Sequence, residues 1–383
     1  MDSVDLVQEL MSIPGRSGQE GAVAACIVGY LRRSGVPESA IQFDTAHQKS
    51  HIGGETGNLI VKLPGTIKGP RRLLMAHIDT VPLCVGCQPV LKGNLIRSRD
   101  PHTALGGDNR AGAAVVLHTW LQIAADELPH PPLTLFWPVQ EEIGLVGARY
   151  VNAAKLGQPK LCFNWDGGLP NVAVVGATGD DHLEITIEGI ASHAGAHPED
   201  GVSAAMIAAL AMSQLQEDGW HGLVIKGKQS GTSNVGVIQG GDATNVVMEK
   251  LLLRAEARSH NPAFRAKIVN AYRKAFQDAA KSVKNAAGKR GNVQFEARHK
   301  YESFRLDVKE PVVQAALAAI TATGLEPQTR ISNGGLDANW MTAHGFPTVT
   351  LGCGQAGIHT VNEVLHVDQF QQACGIALKL ALG

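Results

Sequence analysis

The chain has 383 residues, 44% of them apolar and 18% charged, with a formal net charge of −1. That length exceeds one ordinary hydrophobic core and suits two domains, and the near-neutral charge leaves no global field to hold nucleic acid or an anionic membrane surface. The acidic, amphipathic opening "MDSVDLVQELM" lacks the basic and apolar regions of a signal peptide, and no apolar run reaches the roughly eighteen residues that span a bilayer, so a cytoplasmic protein is expected.

In chain order, residues 4–12 and 19–33 carry helical periodicity, and "NLIVKL" (58–63) and residues 72–77 read as strands. "AGAAVVLHTWLQIAA" (111–125) reads as a buried helix, "PLTLFWPV" (132–139) as a strand, 144–154 as a helix and "KLCFNWD" (160–166) as another strand. Continuous apolar strands separated by helices predict an α/β fold, with a mostly parallel sheet covered by helices on both faces.

The pattern changes near Gly179. "HLEITIEG" (182–189) alternates with period two, and a small-residue helix spans 203–215. "EKLLLRAEARSH" (249–260) sets Arg254, Glu256 and Arg258 on one face and Leu253, Ala255 and Ala257 on the other. A long helix over 262–287 and the alternating strand "NVQFEARHKY" complete an inserted α+β unit with antiparallel strands. From about Pro311 the first pattern resumes, with helices at 311–323, 336–343 and 368–381 around the strand "PTVTLG". The expected organisation is a catalytic domain of residues 1–179 and 305–383, interrupted by an inserted lid or dimerisation domain of residues 180–304.

Six cysteines are scattered through the chain. Cys84 and Cys87 in "LCVGCQP" have redox or half-zinc spacing. No second pair completes a thiolate site, and no thioredoxin-like pattern surrounds them, so they read as small loop residues.

The stretch "LLMAHIDTVP" (73–82) runs apolar residues straight into His77 and Asp79. Strand 132–139 likewise ends at Glu141 and Glu142, strand 160–166 ends at Asp166, and Asp108 sits in the glycine-rich turn "LGGDNRAG". Each acid alone reads as a helix cap or a solvated turn residue. Ligands of doubly wound sheets gather at the carboxyl ends of the strands, and four segments converging there predict a metal site. Nitrogen and oxygen donors without cysteine suit zinc, and manganese or cobalt also fit. His77 and Asp79 share one strand face, so the aspartate can orient the imidazole. Of the adjacent glutamates, one can bind metal while the other faces its water, the equipment of metal-assisted hydrolysis.

The ordered pieces "MAHIDTVP", "LGGDNRAG", "EEIGLVGA", "NWDGG", "IASHAGAHPEDGVSA", "EARSHNP", "GGLDAN" and "GIHTVNEVLHV" resemble the cocatalytic zinc metallopeptidases that include peptidase T, carboxypeptidase G, aminoacylase and succinyl-diaminopimelate desuccinylase. The resemblance covers nearly the whole chain. It implies two zinc ions per chain with a bridging water or hydroxide: His77 and Asp166 on one, Glu142 and His359 on the other, and Asp108 bridging. Glu141 would be the general base and Asp79 the partner of His77. The Asp108–Asn109 peptide bond would be cis.

His359 lies in a glycine-rich loop past "PTVTLG" and is preferred as ligand over His344 and His366. In the inserted unit, His193 matches a histidine that polarises the scissile carbonyl from the partner subunit of a homodimer. Asn245 and Arg258 match substrate-holding positions, although Arg258 also reads as half of an ion pair across the sheet face. Aspartate at 166 leans toward the peptidase T-like branch. The expected activity is amide hydrolysis in a small peptide. An N-acyl-amino-acid hydrolase or carboxypeptidase is the alternative, with a mononuclear hydrolase and a non-catalytic metal- or ligand-binding protein as more distant ones.

Overall fold

Local chemistry sets where the elements begin and end in the computed structural model, which describes residues 2–383. The first helix, α1 (Ser3–Ser12), starts where the Asp2 carboxylate accepts the Val4 N–H at 2.7 Å, satisfying one free amide of the helix end. Its apolar spacing buries Leu6, Val7 and Leu10. Next come α2 (Gly21–Arg33), β1 (Ile41–Phe43), β2 (Leu59–Leu63), β3 (Arg72–Met75), β4 (Pro89–Lys92) and β5 (Leu95–Ser98). They are followed by α3 (Gly107–Ala125), β6 (Leu133–Trp137), α4 (Val146–Tyr150), β7 (Leu161–Trp165) and β8 (Val172–Ala177). β6 and β7 are buried at every position, as strands covered on both faces must be.

The alternating region contributes β9 (Gly179–Glu188), α5 (Ala204–Glu217), β10 (Gly222–Lys226), β11 (Gln229–Gly240), β12 (Lys250–Ser259), α6 (Pro262–Ser282) and β13 (Asn292–Tyr301). The chain then returns through β14 (Phe304–Arg305), α7 (Pro311–Thr321), β15 (Gln328–Ser332), α8 (Asp337–Ala343), β16 (Thr348–Leu351), β17 (Gln355–Ala356), β18 (Val364–His366) and α9 (Val367–Leu382). Two compact units result. One runs up to Ala177 and resumes from Arg305 to Gly383; the other is Thr178–Phe304.

In the first unit a nine-stranded sheet runs β1-β2-β6-β3-β7-β16-β8-β14, with β15 also paired to β8. β3 is parallel to β6 and to β7, and β16 is parallel to β7. These four strands therefore end at one sheet edge. β1, β2 and β8 add antiparallel pairs at the flanks. A second, four-stranded sheet, β17-β18-β5-β4, lies outside the sequence expectation, because strands of two to four residues are too short to display a period.

In the second unit the sheet order is β10-β11-β12-β9-β13, antiparallel throughout. Leu183, Ile185 and Ile187 of β9 and Leu253 of β12 pack with Phe264, Tyr272 and Phe276 of α6. Each such side chain taken from water contributes about 1.5–3 kcal/mol. The helix expected over 262–287 stops at Ser282, where Val283 turns extended.

The segment that opens at Gly107 is kinked at Asp108 and Asn109, whose backbone is non-helical, so the regular part of α3 begins just after them, close to the expected residue 111. It runs very close to the sheet: a Cβ added at Gly112 would stand 2.1 Å from the Trp165 carbonyl oxygen and 3.0 Å from Ala76 Cβ. Gly112→Ala is therefore expected to cost about 3 kcal/mol through overpacking. Gly35→Ala, at an open left-handed position (φ +84°) with nothing within 4 Å, should cost only about 1 kcal/mol. Urea midpoints for the two variants check this, and equal shifts would refute the close packing of α3.

Candidate metal centre and active site

Each parallel strand delivers its polar residues at the shared edge. His77 and Asp79 lie just past β3, Glu141 and Glu142 past β6, and Asp166 directly after β7. His359, in the left-handed region at φ +62°, sits on the loop between β17 and β18 beyond β16. Asp108 enters from the start of α3, and its peptide bond to Asn109 is cis. The Asn109 amide donates to the Trp165 carbonyl at 2.7 Å, and its oxygen accepts the Gly112 N–H at 3.0 Å. This ties the Asp108 turn to the strand end that carries Asp166.

The Asp108 carboxylate is shared. Its Oδ1 lies 3.3 Å from His77 Nε2 and its Oδ2 lies 3.2 Å from His359 Nε2. Asp166 Oδ1 is 3.7 Å from His77 Nε2, and Glu142 is 3.0 Å from His359 Nε2. Donor atoms of His77, Asp108 and Glu142 fall within 4.8 Å of one another, as do those of His77, Glu141 and Asp166.

Asp79 holds the scaffold together. Its Oδ1 accepts the Glu141 N–H at 2.9 Å, and its Oδ2 accepts the Glu142 N–H at 3.2 Å and the Ser17 hydroxyl at 2.6 Å. His77 Nδ1 lies 3.3 Å from Asp79 Oδ1.

The electrostatics are one-sided. Burial pushes the carboxyls of Glu142 and Asp166 above the usual range. Burial also drives Glu141 well above it, reinforced by Asp166, Asp337 and Glu142 against the pull of His77. Asp337, buried with neither oxygen hydrogen-bonded, is pushed by burial up to about 8. Asp108 moves the other way: despite its burial, His359 and His77 hold it low. The same contacts with Asp108 and Glu142 raise His359 to about 10. Buried carboxylates in excess of their cations either protonate or gather metal. Asp108 Oδ1, buried and without a hydrogen-bond partner, fits the second outcome. So does a donor set of imidazole and carboxylate alone.

The other three expected site residues belong to the second unit. His193 Nδ1 accepts the Gly195 and Ala196 N–H groups at 3.2 and 3.1 Å, so the proton of the neutral ring sits on Nε2. Asn245 is its neighbour: the Asn245 carbonyl accepts the Ala194 N–H at 2.9 Å, and His193 bridges Val246. Arg258 forks onto Glu256 of its own strand at 3.0 and 2.9 Å and approaches Asp180 at 3.8 Å.

Several supporting residues had no signal in the sequence. Glu20 Oε1 accepts the Gly18 and Gln140 N–H groups at 2.9 and 3.1 Å, and Gln140 is left-handed at φ +57°. Glu363, buried, accepts the Gly106 N–H at 2.8 Å and the Asp108 N–H at 2.9 Å. A Cβ at Gly107 would meet Glu363 Oε1 at 3.1 Å, so the glycines of "LGGDN" make room for this carboxylate. Its only sequence cue is its place four residues after His359.

Comparison with known proteins agrees with the site. Residues 73–383 match the model of peptidase family M20/M25/M40. The uncharacterized protein YqjE of Bacillus subtilis (strain 168) is 31% identical over 318 residues, covering 83% of this chain and 82% of that one. A tripeptidase from Staphylococcus aureus superposes with a TM-score of 0.89 at 30% identity, covering 99% of this chain and 96% of that one. Aminopeptidase PepT from Bacillus cereus gives 0.85 at 29% identity, covering 99% and 97%. The chain belongs to peptidase family M20/M25/M40. It is an enzyme, a metal-dependent peptidase of the peptidase T-like branch.

Glu363→Ala leaves two buried amides without an acceptor, an expected cost of about 2–4 kcal/mol. Glu363→Gln keeps one carbonyl oxygen and should cost roughly half of that. Denaturation midpoints measure both, and an alanine variant as stable as the wild type would remove Glu363 from this role.

Proposed function

We propose that the chain is an aminopeptidase of short peptides, cleaving tripeptides with a free amino terminus at a two-metal centre. The observation that carries the reading is the shared Asp108 carboxylate, one oxygen toward His77 and the other toward His359. His77, Asp166 and Asp108 would hold one metal and Glu142, His359 and Asp108 the other, with zinc favoured by the donor set. When bound, such ions polarise the scissile carbonyl and lower the pKa of the attacking water. The substrate class draws support from the likeness to the tripeptidase and to PepT.

Glu141 takes the proton of the attacking water and returns it to the leaving amine. Its main-chain N–H is fixed by Asp79, which leaves the carboxylate to act from a rigid base. Asp79 also orients His77. His193, with its proton on Nε2, is read as the donor to the carbonyl oxygen as negative charge develops there, and Asn245 beside it as a substrate contact. Arg258 enters as a substrate contact only if a substrate carboxylate displaces Glu256. The inserted residues 180–304 are read as lid and dimerisation domain. The boundary rests on the change of sequence pattern near Gly179 and the homodimer on the family resemblance, and a cytoplasmic setting is the expectation from the sequence. No helix among the described residues is long and apolar enough to cross a membrane.

Metal analysis is expected to return two ions per chain for both the wild type and Glu141→Ala, with tripeptide turnover about 1,000-fold lower in the variant. One ion per chain would point to a mononuclear hydrolase, and unchanged turnover would exclude Glu141 as base.

Matched tripeptides, N-acetylated tripeptides and N-acyl amino acids separate the substrate classes. The free-amino tripeptides should show the highest kcat/KM. Preference for the acylated compounds would instead identify an acylase or carboxypeptidase with the same centre.

A further inference from the structure

A cavity of about 450 Å³ opens in the first unit beside Glu142. Its walls are Ile52, Val81, Pro82 and Ile143, and Arg16 and Gln19 stand among its lining. We infer that this cavity is the specificity pocket of the enzyme, taking an apolar side chain from a substrate residue that flanks the scissile bond. The inference rests on the reading above that the metal centre cleaves a peptide, and it names which peptides are preferred.

The first argument is position. Glu142 belongs both to the cavity lining and to the donor cluster. A peptide whose carbonyl sits at that cluster has its flanking side chains within one residue of it, and the cavity is an adjoining space. Its volume accommodates a leucine or phenylalanine side chain.

The second argument is rigidity. The loop 16–19 is anchored at every residue: Arg16 bridges Thr80, Ser17 donates to Asp79, and the Gly18 N–H is held by Glu20 while its carbonyl accepts the Glu55 N–H at 3.0 Å. The Gln19 N–H reaches the Arg16 carbonyl at 2.8 Å. Opposite, Ile52 leans over Gly18, where an added Cβ would lie 2.9 Å from its Cδ1. The pocket is formed before substrate arrives, which reduces the ordering cost of binding.

The third argument is chemistry. Two of the lining's polar groups are committed elsewhere. The Ser17 hydroxyl serves Asp79, and Arg16 Nε donates to Gln19 Oε1 at 3.0 Å. Besides the Arg16 guanidinium and the Glu142 carboxylate, an occupant meets the aliphatic wall of Ile52, Val81, Pro82 and Ile143. Ile52 is 50% exposed, apolar surface that a substrate side chain would cover. Arg16 has no acidic partner among the described residues, so its guanidinium disfavours a lysine or arginine in the pocket.

The test uses X-Gly-Gly and Gly-X-Gly tripeptides with X as glycine, leucine, phenylalanine or lysine. Alongside them, calorimetry with the metal-loaded protein measures binding of glycine and leucine hydroxamates, which anchor on metal without turnover. In one tripeptide series, leucine and phenylalanine should exceed glycine in kcat/KM by at least about tenfold, with lysine at or below glycine. Where the preference falls in the X-Gly-Gly series, the hydroxamates should follow the same order in affinity. Ile52→Trp, at the exposed wall, should lower the leucine value about tenfold and move the glycine value less than about twofold. Ile52→Ala should shift preference toward phenylalanine. Equal values for glycine and leucine in the wild type, in turnover and in binding, overturn the pocket. So does a tryptophan variant that treats both as the wild type does, or that loses both alike while retaining the wild-type melting temperature. Leucine preference in hydroxamate binding without tripeptide cleavage would strike the tripeptide reading and leave the pocket standing.

Discussion

The Asp79 carboxylate is the joint on which the centre depends. It is fully buried, yet its oxygens accept two main-chain amides and a hydroxyl and face the His77 ring. Burial alone would raise its pKa, and His77, Ser17 and the Glu141 N–H together hold it below the usual value. A charge so enclosed is stable only with that many donors. The arrangement couples three chain segments: the end of β3, the loop after β6 and the residue 16–19 loop. The Glu141–Glu142 pair cannot shift without breaking bonds to the residue that orients His77. Glu141, Glu142 and the loop at Ser17 are thereby positioned by one group.

The same logic extends around the cluster. Asn109 fastens the Asp108 turn to the end of β7, and Glu363 fastens it to the loop that carries His359. The carboxylates of the cluster therefore sit on backbone held by other buried polar groups, the condition under which a site keeps its geometry. The concentration of negative charge is itself the case for cations. Glu141, Glu142, Asp166 and Asp337 are all shifted upward by burial, while His77 and His359 are drawn into pairing with the acids. Divalent ions relieve that imbalance where the donor atoms already converge.

Much of this was legible in the sequence because parallel strands carry a strong signal. An apolar run long enough to be buried on both faces, ended by a histidine or an acid, announces both the strand and the edge where it stops, as at β3, β6 and β7. Alternation did the same for β12, whose Leu253 and Ala257 are buried while Arg254 lies on the opposite, more exposed face. The supporting residues were not legible. Glu363 and Glu20 each accept two main-chain N–H groups and Ser17 donates to the Asp79 carboxylate, with partners distant in sequence by as many as 257 positions, and no period marks such a partner. Glu363 stood inside a motif without any local feature to give it a task. The small sheet of β4, β5, β17 and β18 was missed for a related reason: its central β5–β18 pairing joins segments more than 250 residues apart, and each strand is too short to declare itself.

Arg258 bears on the choice between peptidase types. An arginine that recognises a terminal carboxylate works best when its fork is free to accept that group bidentately. Here the fork is filled by Glu256, with Asp180 close behind. Burial disfavours its charge, but Glu256, Tyr301 and Asp180 together raise its pKa. A substrate carboxylate would have to expel Glu256 and leave two acids on the same sheet face partly uncompensated. That exchange returns little net energy, since one carboxylate replaces another and like charges remain nearby. A mechanism that depends on carboxylate capture by Arg258 is therefore disfavoured by the residues around it. Recognition at the catalytic strands, through the flanking side chain and the free amino end of the peptide, carries no such cost.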